Sequence, residues 1–125
     1  MYLVYIASPF DHVDAEVMLK RVSEVRLFTA RLMERTDKFL PITPVGYTFP
    51  FVKYLPQDFD YYTWTGELLK NCHAMCVTQI DGWDKSYGVA NEIAICDQFG
   101  IPFVYSTSDV DMTMASIESL SLIHI

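Results

Sequence analysis

The stretch 81–92, Asp-Gly-Trp-Asp-Lys-Ser-Tyr-Gly-Val-Ala-Asn-Glu, holds the residue types best suited to chemistry. It reads as a loop that runs into a helix. Ser86 is a good N-cap residue, and Gly88 lets a ligand approach the backbone. Free N–H groups in a first helical turn suit a phosphate or carboxylate, and Lys85 adds positive charge beside them. Neither the Walker nor the dinucleotide glycine pattern is present. On spacing alone the anion site is the weaker reading, and an ordinary capped helix the plainer one.

Glu92 is the sharper candidate. At 100° per residue it lies roughly 60–70° from the centre of the Val89, Ile93 and Cys96 stripe. That places it at the edge of the buried face. A position early in a helix favours the ionised carboxylate. Beside a cleft, such a group can act as a nucleophile or stabilise a cation. A boundary glutamate held in a salt bridge is the plainer alternative.

Tyr5, Ser8, Pro9 and Phe10 surround the end of the first apolar run. Phe10, Tyr47, Phe49 and Trp83 can wall a flat base or simply pack in the core. His12, His73 and His124 are isolated, and none forms a triad with a serine or cysteine. Asp58 and Asp60 read as helix-start residues. Cys72 and Cys76 flank His73, a spacing that raises the question of zinc. No second ligand pair follows them and Cys76 falls in a strand-like run, so no metal is expected. Three cysteines do not make a disulfide framework, which points to a reducing cytoplasm.

These residues need elements to position them. Tyr-Leu-Val-Tyr-Ile-Ala at 2–7 is a continuous apolar run, as expected of a strand buried on both faces. Helical periodicity covers 11–35, where Met18, Val22, Val25, Phe28 and Leu32 recur at spacings of 4, 3, 3 and 4. A second strand is expected over 38–42. Residues 43–58 carry Pro44, Pro50, Pro56, Gly46 and four aromatics, which reads as an ordered loop covering something. A helix over 61–72, a strand over 74–80 and a turn over 81–86 follow. A helix over 87–99 then stops at Gly100 and Pro102. The pattern closes with a strand over 103–105, a helix over 110–119, and a last strand or docked tail over 120–125.

Strands alternating with helices predict an α/β domain spanning 1–125. Its sheet is parallel, flavodoxin- or Rossmann-like, of four to five strands with helices on both faces. Ligands bind outside the carboxyl ends of such strands, here at 8–12, 43–54 and 81–88. The 125 residues carry 16 acids against 9 basic residues, a net charge of −7. That balance excludes a basic nucleic-acid footprint and makes an anionic membrane surface a poor partner. No apolar stretch approaches the roughly 18 residues of a membrane span. The run at 2–7 is too short for a signal-peptide core.

Taken together, these residues resemble the nucleoside 2-deoxyribosyltransferase-like superfamily. It includes deoxyribosyltransferases and the N-glycosidases that cleave nucleoside 5′-monophosphates. The matching pieces are Tyr5-Ile-Ala-Ser-Pro-Phe10 and Gly82-Trp-Asp-Lys-Ser-Tyr-Gly-Val-Ala-Asn-Glu92, continued by Ala94 and Gly100-Ile-Pro102. Small uncharacterised phage and bacterial proteins share the pattern, including a loop comparable to 44–50. The resemblance spans about residues 2–106.

It implies that Glu92 is the nucleophile, attacking the anomeric carbon of the sugar and displacing the base. Water or a second base then resolves the glycosyl-enzyme. Ser86 and Gly88 match positions that bind a 5′-phosphate. Tyr5 and Ser8 match the loop that contacts sugar and nucleophile, and Asp81 lies near where some members contact or protonate the base. Pro9, Phe10, Tyr47 and Trp83 complete the expected substrate-binding set. No cofactor is implied, and relatives are often homodimers or higher oligomers. One departure stands out: many relatives carry an aspartate where this chain has Thr65. Its absence favours an alternative, a nucleotide-binding module without turnover.

Overall fold

The computed structural model describes residues 1–120. Its strands are β1 (Tyr2–Ala7), β2 (Phe39–Ile42), β3 (Ala74–Val77) and β4 (Phe103–Tyr105). They form one parallel sheet in the order β2-β1-β3-β4. β1 and β3 are central, paired Val4 to Ala74 through Ala7 to Val77. β2 and β4 are the edges. Pro41 is tolerated in β2 because an edge strand need not donate from every residue. The helices are α1 (Ala15–Arg35), α2 (Pro44–Thr48), α3 (Tyr61–Lys70), α4 (Tyr87–Phe99) and α5 (Val110–Glu118).

The two-residue period of β1 divides the core. Val4 and Ile6 face one way and pack with Val22, Val25 and Leu32 of α1 and Ile117 of α5. Tyr5 and Ala7 face the other way, among Leu69 of α3 and Val89 and Cys96 of α4. Helices therefore cover both faces of the sheet. The chain leaves β1 toward β2 on one side, then crosses to β3 on the other. This reversal opens a crevice at the carboxyl ends of β1 and β3, where open α/β sheets bind ligands.

The sequence expectations need adjusting at several boundaries. α1 begins at Ala15, not at 11, because Asp14 caps it: its Oδ1 accepts from the Glu16 N–H at 2.9 Å. Residues 11–14 are thereby released into the loop over the crevice. The strand expected over 74–80 ends at Val77. The helix expected over 61–72 ends at Lys70. The expected loop over 43–58 is partly helical, comprising α2 and a 3-10 turn at Phe49–Tyr54. The cause is local. Thr43 caps α2 through Oγ1, which accepts from the Gly46 N–H at 3.2 Å, and Pro44 sits in the first turn, where proline is favoured. The sheet has four strands among the described residues; of the strand or tail expected over 120–125, Leu120 forms a bend after α5 and 121–125 lie outside the described residues.

No helix among the described residues is long and apolar enough to cross a membrane. Cys72 and Cys76 pack into opposite core clusters, one on each face of the sheet. His73 instead ties β1 to β3, its Nδ1 accepting from the Leu3 N–H at 2.9 Å.

Candidate functional site

Ser86 caps α4, its Oγ accepting from the Val89 N–H at 3.2 Å. The N–H groups of Tyr87 and Gly88 have no acceptor within the helix and point toward the crevice end. Gly82, at φ +93°, turns the chain into this loop. Gly88 serves a packing purpose as well, since a Cβ there would meet Tyr62 Cε1 at 3.0 Å. The space above Gly88 is therefore partly filled by the Tyr62 ring.

A cavity of about 290 Å³ opens at this helix start. Its lining includes Tyr5, Ser8, Phe10, Thr65, Ser86 and Glu92. Residues singled out from the sequence for the site thus meet in one place: Tyr5, Ser8, Phe10, Lys85, Ser86, Gly88 and Glu92. Ser8 is buried and its Oγ has no hydrogen-bond partner among the described residues. An orphaned hydroxyl of this kind in a cavity wall is an available donor or acceptor for a ligand.

Glu92 is buried rather than at the edge of its helix face, only 7% exposed. The buried stripe of α4 is Val89, Glu92 and Cys96, rotated toward the glutamate relative to the expected one. Burial pushes the Glu92 carboxyl up to about 8, opposed in part by a hydrogen bond from Tyr5. The early-helix position was expected to favour the ionised form, but desolvation outweighs it. The Tyr5 phenol is pushed well above its ordinary value, first by burial and then by the neighbouring Glu92 charge. It therefore stays protonated and donates toward the carboxylate. Thr65 is also buried and within reach of the Tyr5 hydroxyl.

A second cavity of about 480 Å³ adjoins the first. Phe10, Asp11, Val45, Tyr61 and Tyr62 line both. The larger one is walled by the 43–60 segment, with Phe49, Val52 and Phe59 among its apolar residues. Phe10 meets Phe49 edge-on at 5.9 Å, and Thr48 Oγ1 lies 2.9 Å from the Tyr61 hydroxyl. These contacts tie the cover to β1 and to α3.

Four of the expected residues lie elsewhere. Asp81 is exposed and lines neither cavity. Trp83 packs against Tyr105 at 5.3 Å, beside the β4 edge. Tyr47 is 67% exposed and meets the Phe51 ring at 5.3 Å. Pro9 is buried and lines neither cavity. Conversely, Asp11, Tyr61 and Tyr62 were not read as site residues. A signal did exist for Asp11, which lies within 8–12, one of the strand-end segments expected to bind. Among the described residues no cluster of three or more His, Cys, Asp or Glu side chains is placed to hold a metal.

The family described as "Domain of unknown function (DUF1937)" matches residues 2–107. Among solved structures, a 2-deoxyribosyltransferase from the psychrotolerant bacterium Bacillus psychrosaccharolyticus is similar at 18% identity and a TM-score of 0.55. The alignment covers 98% of this chain and 94% of that one. At this identity the likeness bears on the fold: a parallel α/β domain with the architecture of a nucleoside deoxyribosyltransferase. No curated protein matches the sequence. The match across residues 2–107 places the chain in the DUF1937 family.

Proposed function

We propose that this protein binds a nucleoside 5′-monophosphate and cleaves its base–sugar bond through Glu92. The observation that carries the reading is the buried Glu92 carboxyl facing a cavity, with the Tyr5 hydroxyl beside it and a helix start at its rim. The phosphate is assigned to the start of α4, near Ser86, Gly88 and Lys85, with the unpartnered Ser8 hydroxyl available to the same ligand. The base is assigned to the aromatic cavity beneath the 43–60 segment. The deoxyribosyltransferase named in the structural comparison has the same fold, which makes glycosyl chemistry a precedent for it.

The steps follow from charge. Glu92 must lose its proton before it can attack, and burial, which pushes the carboxyl up to about 8, opposes that loss in the empty site. Positive charge developing on the sugar favours the carboxylate, so the reacting complex draws on the ionised form. A Glu92 oxygen bonds to the anomeric carbon as the carbon–nitrogen bond breaks. The electron pair leaves with the base nitrogen, which takes a proton from water. A water molecule then attacks the same carbon, releasing the sugar phosphate and restoring Glu92; a second base in place of water gives transfer instead. Tyr5 keeps its proton throughout and holds the carboxylate in position.

A second reading is favoured by Thr65. It is a neutral residue buried beside Tyr5 at the position where the resemblance implies an aspartate. On that reading the protein binds the nucleotide and does not turn it over. Base release from a panel of ribo- and deoxyribonucleoside 5′-monophosphates, followed by chromatography, separates the two. Release that disappears in Glu92→Ala supports cleavage, whereas thermal stabilisation by a nucleotide without release supports the binding module. A homo-oligomer is also proposed, with the exposed Tyr47, Phe51, Tyr54 and Trp64 as contact surface. Sedimentation of a monomer at working concentration contradicts it.

A further inference from the structure

We infer that Asp11 is a ligand-binding carboxylate, one that accepts a hydrogen bond from a donor at the sugar–base junction. The inference rests on the proposed function for the ligand's identity. The site itself rests on the geometry of Asp11.

Asp11 lines both cavities, and its neighbours at the seam between them include Tyr61 and Tyr62. Its side chain is held on one side only. The Tyr62 hydroxyl donates to Oδ2 at 2.7 Å, across 51 residues of sequence. Its backbone is held from beneath, where Arg21 Nη1 donates to the Asp11 carbonyl at 2.8 Å. The same guanidinium packs against Gly82, so one arginine of α1 braces both loops that rim the crevice. Oδ1 accepts nothing among the described residues. Asp11 is exposed at the cavity wall, and a carboxylate already clamped through one oxygen loses little further freedom when it binds a ligand through the other.

The second carboxylate of the cleft, Glu92, acts on the same two rings. The Tyr61 phenol is raised by burial, with Glu92 and Asp11 both adding to the effect. The Tyr62 phenol is raised by burial, then by its bond to Asp11, with a smaller contribution from Glu92. Glu92 and Asp11 therefore flank a pair of protonated tyrosines at the start of α3. An ionised carboxylate only accepts hydrogen bonds. Asp11 accordingly selects an O–H or N–H donor of the ligand rather than a phosphate oxygen. Two parts of the ligand offer that donor: a sugar hydroxyl or a base N–H.

Calorimetric titration of the Glu92→Gln protein, which blocks turnover, tests this with nucleoside 5′-monophosphates as probes. Asp11→Asn is the informative change, because it turns one of the two carboxylate oxygens into an NH2 donor, so the positions facing Tyr62 and the ligand cannot both accept. The expected result is a loss of affinity of roughly 10- to 100-fold. Tyr62→Phe keeps the ring against Gly88 and frees the Asp11 side chain, with an expected loss of about 3- to 10-fold. Sugar-deoxygenated and base N-methylated analogues identify the donor, since the analogue lacking it binds equally well with and without the Asp11 substitution. Equal affinity of the aspartate and asparagine proteins for every nucleotide, with Tyr62→Phe also unchanged, overturns the role of Asp11 and leaves the proposed function standing. Absence of any nucleotide binding overturns both.

Discussion

The floor of the crevice and its cover are built on different physical terms. The floor consists of β1, β3 and the first turns of α4, where Tyr5, Val77 and Val89 are almost fully buried. Its side chains are fixed by packing, and Glu92 is locked among them. The cover, 43–60, is two short helical turns with no regular strand, and Phe51, Val52, Tyr54 and Phe59 stay exposed. A rigid floor suits a reacting group, which needs placement within a fraction of an ångström. A cover held by a few aromatic contacts suits recognition of a flat group, at modest cost when one contact is lost. On the proposed function, chemistry belongs to the floor and selectivity to the cover.

The largest test of that division is at Glu92. Glu92→Gln should lower base release by at least about 1,000-fold while nucleotide binding persists within about tenfold. A Gln variant that keeps comparable kcat removes chemistry from the floor. Next is Tyr5→Phe. Its hydrogen bond favours the charged carboxylate, so its loss should move the Glu92 titration upward. The ascending limb of the pH–rate profile should shift to higher pH, with kcat at pH 7 down about 10- to 100-fold. An unshifted limb with a raised KM contradicts the pairing.

The stability of the floor should carry the same signature. Glu92 has a folded value near 8 against an ordinary 4.5, so the folded state binds the extra proton between them. That contribution is fully present below about 4.5 and is lost as pH rises through about 8. Across that window the wild type should lose a few kcal/mol relative to Glu92→Gln in denaturant titrations. Parallel curves for the two proteins contradict burial of an ionisable group there. The smallest effect belongs to the cover. Phe49→Ala should raise KM about tenfold and leave kcat within about threefold, since it removes an edge contact with Phe10. An equal loss in kcat places the cover in the chemistry.

The same contrast explains what was legible in the sequence. The floor was readable because its signals are local. An apolar run marks β1, Ser86 marks the start of α4, and Gly100 its end. Glu92 was found from the stripe, although its depth was not, because the helix rotates on packing to bury it. The cover was misread because prolines and aromatics signal a loop, whereas Thr43-Pro44 is also a sound helix start. Trp83 and Tyr47 were placed with the site on residue type, but which way an aromatic turns depends on neighbours such as Tyr105 that are distant in sequence. The bond from Tyr62 to Asp11 has no sequence signature, because it arises only once α3 docks beside the first strand loop.

The most direct test of the central claim is single-turnover base release at saturating nucleoside 5′-monophosphate, comparing wild type with Glu92→Gln. The wild type should release free base, and the Gln protein should hold the intact nucleotide. Equal release by both, or an intact nucleotide on both, contradicts Glu92 as the group that breaks the base–sugar bond.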